Sequence, residues 1–210
     1  MKNQRGFTLI ELAIVLVIIG LLLGGVLKGQ ELINSAKVKN MATDFRNVPV
    51  YIYGYQDKFK ALPGDDKAAD SHVNAAAAQV GNGNGQIDGA WNSETAGDES
   101  VLFWLHTRLA GLAPGSTTIN SGFYPTNSDG GRIGVTSLLP ITGLPGAYFM
   151  CSQGILGKFA KQIDITLDDG EPDGGSLRAT LSTDDAPSED PADVETDYAD
   201  STAYTLCMGF

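Results

Sequence analysis

Between Leu12 and Leu27 every residue is apolar or glycine, and the run is led in by Gly6-Phe7-Thr8-Leu9-Ile10-Glu11. About twenty such residues form one bilayer-crossing helix, so this segment constrains the chain more than any other. Glu11 is the residue that needs explaining. A carboxylate at the edge of hydrocarbon is costly and predicts a partner. Lys2 and Arg5 precede the run, and this basic flank predicts that the N-terminal side stays in the cytoplasm.

A removable secretory signal carries a small-residue cleavage site after its apolar region. Here Leu27 is followed by Lys28-Gly29-Gln30-Glu31, which offers none. The short basic leader, the Gly6-Phe7 junction and Glu11 four residues beyond Phe7 together resemble the class III signal of type IV prepilins and type II secretion pseudopilins. The resemblance implies that a prepilin peptidase cuts after Gly6 and N-methylates Phe7, leaving the apolar segment on the mature protein. It also implies assembly through residues Phe7 and Glu11, with the carboxylate meeting the Phe7 amine of a neighbouring subunit. A plain single-pass anchor, with Glu11 hydrated near the interface, is the competing reading.

What remains after a leader (residues 1–6) and a span (residues 7–27) is one globular domain with room for its own core. The formal charge of the whole chain is -11, and loss of Lys2 and Arg5 leaves 12 basic residues against 25 acidic, or -13. An acidic surface repels phosphate backbones, so nucleic acid is an unfavourable partner. With the N-terminus inside, the head lies outside the cytoplasm, where a disulfide persists. Cys151 and Cys207 are the two cysteines. Their bridge would close a loop of roughly 56 residues, worth on the order of 4 kcal/mol in the chain-entropy model; two buried free thiols are the alternative.

Leu32, Ile33, Ala36, Met41, Phe45, Val48, Ile52, Tyr55 and Phe59 recur at three- and four-residue spacing, which predicts an amphipathic continuation of the helix over residues 28–60. Pro49 should kink it, and Pro63-Gly64 should stop it. Gly20, Gly24 and Gly25 weaken helix propensity inside the span, or admit close packing. Gly20 falls where pilin-like helices often carry a weakening glycine. Lys28 stands near a position where many major pilins have proline, and this departure leaves a pseudopilin or a minor pilin open.

The head, residues 61–210, reads as loop-rich. A helix is predicted from about Glu99 to Leu112, with Val101, Leu102, Leu105, Leu109 and Leu112 on one face and Phe103 and Trp104 beside them. The order from Tyr55-Gln56-Asp57 through Pro63-Gly64-Asp65 to Phe103-Trp104-Leu105-His106 resembles a bacterial subgroup of prepilin-type proteins. Ile163, Ile165 and Leu167 alternate with polar residues, which predicts a strand entering an acidic turn, with Leu177 to Leu181 as its returning partner. Asp184 to Asp200 carries acids without a base and reads as a solvated loop, and only weakly as a calcium site or partner surface.

Two stretches carry oxygen ligands at spacings that suit a hard cation. Asn82, Asn84 and Asp88 copy part of an EF-hand loop, but Val80 and Trp91 occupy its first and last ligand positions, so other acids such as Asp65, Asp66, Asp98 or Glu99 would have to substitute. Asp168, Asp169 and Asp173 form the second set. Calcium is the candidate cofactor at both, set against solvated Asn-Gly and Asp-Gly turns. Neither His72 nor His106 lies in a metalloprotease or nucleophile-turn pattern, and no phosphate-binding glycine loop occurs, so no enzyme is expected.

The expected fold is α+β: a long N-terminal helix, transmembrane then amphipathic, packed on a small antiparallel sheet head. The expected function is a structural subunit of a type IV pilus or type II secretion pseudopilus. Its partners would be the prepilin peptidase, like or related pilins, an inner-membrane assembly platform and, before assembly, membrane lipid. The resemblance places it in the bacterial inner membrane with a periplasmic head, then in a periplasmic or cell-surface filament. A calcium-binding, ligand-recognising minor (tip) pilin, or an anchored binding module, is the alternative. Mass spectrometry of the mature protein should find N-methylated Phe7 as the first residue, and Gly6→Ala should abolish cleavage; an unmodified chain retaining Met1 to Gly6 would refute the processing site.

Overall fold

The computed structural model describes residues 8–120, 122–183 and 191–210. The chain divides into two compact units, with the boundary between Lys37 and Val38. Helix α1, Leu9–Phe59, contributes residues to both. In the first unit the apolar side chains from Leu9 to Leu27 are exposed around the whole circumference of the helix. A helix that is apolar all round needs lipid or other helices as its surroundings. By length and composition it is the one helix among the described residues able to cross a membrane.

In the second unit α1 has a single buried stripe of Val38, Met41, Phe45, Val48, Ile52 and Tyr55. The three- and four-residue spacing puts these on one face, and Met41, Phe45, Val48, Ile52 and Tyr55 stand there as expected, whereas Leu32, Ile33 and Ala36 of the expected stripe are exposed because the head's core begins only at Val38. Pro49 lies between two buried residues of this stripe and does not end the helix. It removes one backbone donor, but the flanking Val48 and Ile52 remain anchored in the core. The helix stops at Phe59, ahead of Pro63-Gly64.

The remaining elements are α2 (Ala69–Val73), α3 (Glu99–Leu109), β1 (Ile133–Thr136), β2 (Phe149–Leu156), α4 (Gly157–Leu167), β3 (Leu177–Leu181) and β4 (Ala203–Gly209). The four strands form one antiparallel sheet in the order β1-β2-β4-β3. Alternation along the strands separates two faces. Ile133, Val135, Met150, Leu177 and Leu206 join the α1 stripe and α3 in the main core, while Phe149, Cys151 and Cys207 face a smaller cluster with Trp91, Ile141 and Leu144.

Cys151 and Cys207 are direct cross-strand neighbours in β2 and β4 and form a disulfide, with Cα atoms 4.1 Å apart. The bridge therefore ties the C-terminal strand to the centre of the sheet.

Helix α3 ends at Leu109 rather than Leu112, because the chain turns at Ala110 and Gly111, where φ is +75°. Every residue from Glu99 to Arg108 is buried, so α3 is a central helix and not a one-faced one. Arg108 is held there without an acid. Its Nε donates to the Pro114 carbonyl at 3.1 Å, and Nη1 donates to the carbonyls of Ser116 at 3.0 Å and Phe123 at 2.6 Å. The Phe123 ring lies 4.6 Å from the guanidinium carbon. Three carbonyls and a ring face thus order the loop after α3.

The strand expected at Ile163 to Leu167 is instead the end of α4. Two apolar patterns overlap in this short segment. The alternation of Ile163, Ile165 and Leu167 lost to the helical set Phe159, Ala160, Ile163, Asp164, which is buried, while Ile165 is 60% exposed. Leu177–Leu181 is a strand, but it pairs with β4. Of the expected acidic loop Asp184 to Asp200, residues 184–190 lie outside the described residues; beyond them Tyr198 is buried, so this return segment belongs partly to the core.

Replacing both cysteines, Cys151→Ser with Cys207→Ser, should lower the unfolding free energy of the detergent-solubilised chain by about 4 kcal/mol. Urea titration of oxidised and double-variant protein measures it, and equal midpoints would show the bridge to be dispensable.

Candidate functional site

The entry to α1 is built by Thr8 and Glu11. The Thr8 hydroxyl and backbone N–H both donate to Glu11 Oε2, at 2.7 and 2.8 Å, and the Glu11 N–H reaches back to Thr8 Oγ1 at 3.4 Å. This is a capping box, which satisfies donors that a helix start leaves open. Among the described residues no donor reaches Glu11 Oε1, so one oxygen of the carboxylate remains for another partner. The signal was present in the sequence as Thr8-x-x-Glu11 ahead of an apolar run. Gly6 and Phe7, the expected processing pair, lie outside the described residues.

The first oxygen-rich loop is organised by Asp65 and Glu99, two of the acids that would have to complete the partial EF-hand pattern. Asp65, buried, accepts the backbone N–H groups of Gly83, Asn84 and Gly85. Glu99, also buried, accepts those of Asn82 at 2.8 Å and Asp88 at 3.0 Å. Burial pushes the Glu99 carboxyl above its ordinary range; the two N–H donors oppose this, and the charges of Asp65 and Asp88 reinforce it.

The predicted ligands Asn82, Asn84 and Asp88 do come together. Both asparagine amides donate to Asp88 Oδ2, at 2.9 and 2.8 Å, and their own carbonyl oxygens accept from Asn84 N–H and Gln86 N–H. N–H groups thereby supply the positive ends that a cation would otherwise bring. Close packing requires glycine twice here. A Cβ on Gly64, at φ +92°, would stand 2.5 Å from the Glu99 carbonyl oxygen, and one on Gly81 would collide with the Asp65 backbone.

Of the second set, Asp168 and Asp169 converge with Asp164, while Asp173 is exposed and apart from this group. Ligand oxygens of the three lie within 4.8 Å of one another. Asp168 Oδ2 accepts Ser176 N–H at 2.5 Å and Leu177 N–H at 2.9 Å, so the acid closes the turn into β3. Asp164 is fully buried, accepting from Tyr198 Oη at 2.6 Å and from Gly170 N–H at 3.1 Å. Burial pushes its carboxyl up to about 6, against those two hydrogen bonds and with the help of the neighbouring charges of Asp169 and Asp168. Asp164 was hidden in the sequence because it occupies an apolar position of an amphipathic helix. Tyr198 was hidden because its partner lies 34 residues away.

Both histidines are structural supports. His106 accepts the Gly64 N–H at Nδ1, 3.0 Å, and its Nε2 donates to the Gln79 carbonyl at 2.8 Å, a pairing that requires the neutral Nε2-H tautomer. Burial lowers its pKa, consistent with that state. His72 shares Asp66 Oδ2 with Tyr55 Oη, at 2.7 and 2.8 Å.

Residues 1–27 match the family model of the prokaryotic N-terminal methylation motif, the prepilin-type cleavage and methylation signal. No curated protein and no solved structure matches the chain. The motif marks pilin-type structural subunits, which are not enzymes, and it implies processing by prepilin peptidase and assembly with other pilins. The apolar N-terminal part of α1, which lies within the matched residues, fits membrane anchoring.

The raised Asp164 gives a pH prediction with a definite sign. An Asp whose folded pKa is about 6 favours the native state below about pH 4, and that contribution is lost as pH rises through 6. Asp164→Asn cannot ionise, can accept Gly170 N–H through its carbonyl, and can donate to the Tyr198 oxygen. In metal-free buffer the variant should melt above the wild type at pH 8 and close to it at pH 4. An equal loss of melting temperature at every pH would refute the assignment.

Proposed function

We propose that this chain is a pilin-like subunit that is cut after Gly6, methylated at Phe7 and added to a helical filament through the apolar part of α1. One observation carries the reading: the methylation motif over residues 1–27 includes the start of α1, whose apolar side chains from Leu9 to Leu27 are exposed all round. Lipid covers that surface before assembly, and helices of other subunits cover it afterwards. Before assembly the head stands on the periplasmic side of the bacterial inner membrane, since Lys2 and Arg5 hold the other end in the cytoplasm. The inner-membrane assembly platform is then the machinery that extracts it. The Cys151–Cys207 bridge suits that oxidising side.

The Glu11 carboxylate gives assembly its register. Its Oε2 closes the capping box, and its Oε1 is the oxygen offered to the Phe7 ammonium of the next subunit. Pairing two desolvated charges offsets much of their individual cost without making the pair strongly favourable overall. Its main effect is selection, because only an axial offset that brings amine to carboxylate avoids an unpaired charge. Whether the filament is a pilus or a secretion pseudopilus turns on partners of the head, and Lys28 at the end of the span favours a pseudopilin or minor pilin.

Two substitutions separate capping from pairing. Glu11→Gln retains a side-chain acceptor for Thr8 but no charge, whereas Glu11→Ala removes both. Both variants should be processed normally and should enter filaments at least about tenfold less than wild type, since an unpaired buried charge costs several kcal/mol. Immunoblots of sheared filaments provide the measurement. Wild-type incorporation of Glu11→Gln would overturn the pairing role.

A further inference from the structure

A cleft of about 180 Å³ opens between the second half of α1 and the sheet edge, and its walls include Asp44, Asn47, Tyr51, Trp104, Pro114 and Pro125. Its composition is unusual for this protein. Asp65, Asp66, Glu99, Asp164 and Asp168 all accept N–H or O–H donors. Among the described residues Asp44 has no hydrogen-bond donor and no ion-pair partner. Burial alone pushes its carboxyl up to about 6. Its charge is also felt by Tyr51, whose hydroxyl is pushed up by burial first and by Asp44 second. Among the described residues Tyr51 is the only other titratable group on the cleft wall.

A half-buried, unpartnered carboxylate is a cost to the free protein, and a cation would remove it. The walls decide which kind. A hard metal ion takes six or more oxygens, and one carboxylate beside aromatic and proline surfaces cannot supply them. An organic ammonium group suits the same walls well. It pairs its charge with the acid and lays its carbon stem along apolar surface, with the half-buried Tyr51 ring beside it and Trp104, whose ring already has the Arg108 guanidinium carbon 5.8 Å from its centroid, as apolar wall. The Asn47 amide oxygen offers a further acceptor.

We propose that this cleft is a binding site for an alkylammonium group, with Asp44 as its counter-ion and Trp104 and Tyr51 as its walls. The group is either a free amine or a lysine side chain presented by another copy of this chain. The site lies wholly within the unit Val38–Phe210 and does not depend on filament formation.

The test uses the full chain, solubilised in detergent as a monomer, with n-butylammonium chloride as probe and n-butanol as its neutral counterpart. The assigned Trp104 indole resonance should shift saturably with n-butylammonium and not with n-butanol. Asp44→Asn should weaken that response about tenfold or more, as expected for loss of a charged partner. The variant should melt no lower than wild type, because it removes an unpaired charge. An unsaturable response, an equal response to n-butanol, or undiminished binding by folded Asp44→Asn would each overturn the site.

Zero-length carbodiimide cross-linking of assembled material then separates the two sources. A bond from Asp44 to a lysine of another subunit identifies the side chain, and n-butylammonium binding without such a bond identifies a free amine. Failure to assemble would count against the filament reading alone, since the titration is made on the monomer.

Discussion

The head is organised around one apolar stripe on one helix. Val38, Met41, Phe45, Val48 and Ile52 of α1 form a continuous core with α3 and the inner face of the sheet. Burying a side chain of that size contributes about 1.5–3 kcal/mol, so the stripe is a substantial source of cohesion for the head. Other features follow from it. Pro49 is tolerated because its neighbours are anchored, and α3 is buried on all sides because it is surrounded by the core. The same helix toward its N-terminus has no such stripe, and its apolar surface is exposed in the free chain. A single element therefore meets two solvents, a protein interior and a surrounding that the isolated subunit does not provide.

The acidic character of the chain is handled mainly by N–H donors. Asp65 and Glu99 together accept backbone N–H groups from Asn82, Gly83, Asn84, Gly85 and Asp88, and Asp168 accepts those of Ser176 and Leu177. A backbone N–H is a donor that folding must satisfy in any case, so each buried carboxylate resolves two needs together. Loops that look like cation sites by composition are held in this way by their own backbone. Asp44 stands outside this scheme, which is why its cleft is informative. Glu11 belongs halfway, with one oxygen used by Thr8 and one left over.

Much of this was legible in the chain before any coordinates. The long helix and its end ahead of Pro63 follow from periodicity and stop signals, the Glu99 helix was legible as a helix but not as one buried on all sides, and Cys151 and Cys207 were legible as a candidate pair that the sheet register brings together. The strand expected at Ile163 to Leu167 did not form because five residues of alternation fit a helix face equally well, and Asp164 concealed that face by placing a carboxylate on it. The capping box at Thr8 and Glu11 is likewise a local pattern, Thr8-x-x-Glu11 ahead of an apolar run.

By itself the sequence determined the entry: a basic leader, a Gly6-Phe7 junction and an apolar run with one acid, all local patterns whose meaning depends only on neighbouring residues. It determined the helix stripe for the same reason, since residues three and four apart share a face in any α-helix. The tertiary structure alone decided which acids are satisfied. Asp65 meets Gly83, Glu99 meets Asn82, and Asp164 meets Tyr198 across separations of 18, 17 and 34 residues. Such partnerships depend on how loops cross in space, and the energy of a buried charge depends on every donor that surrounds it. For that reason the unpaired state of Asp44 became visible only once the fold had placed the other acids beside their donors.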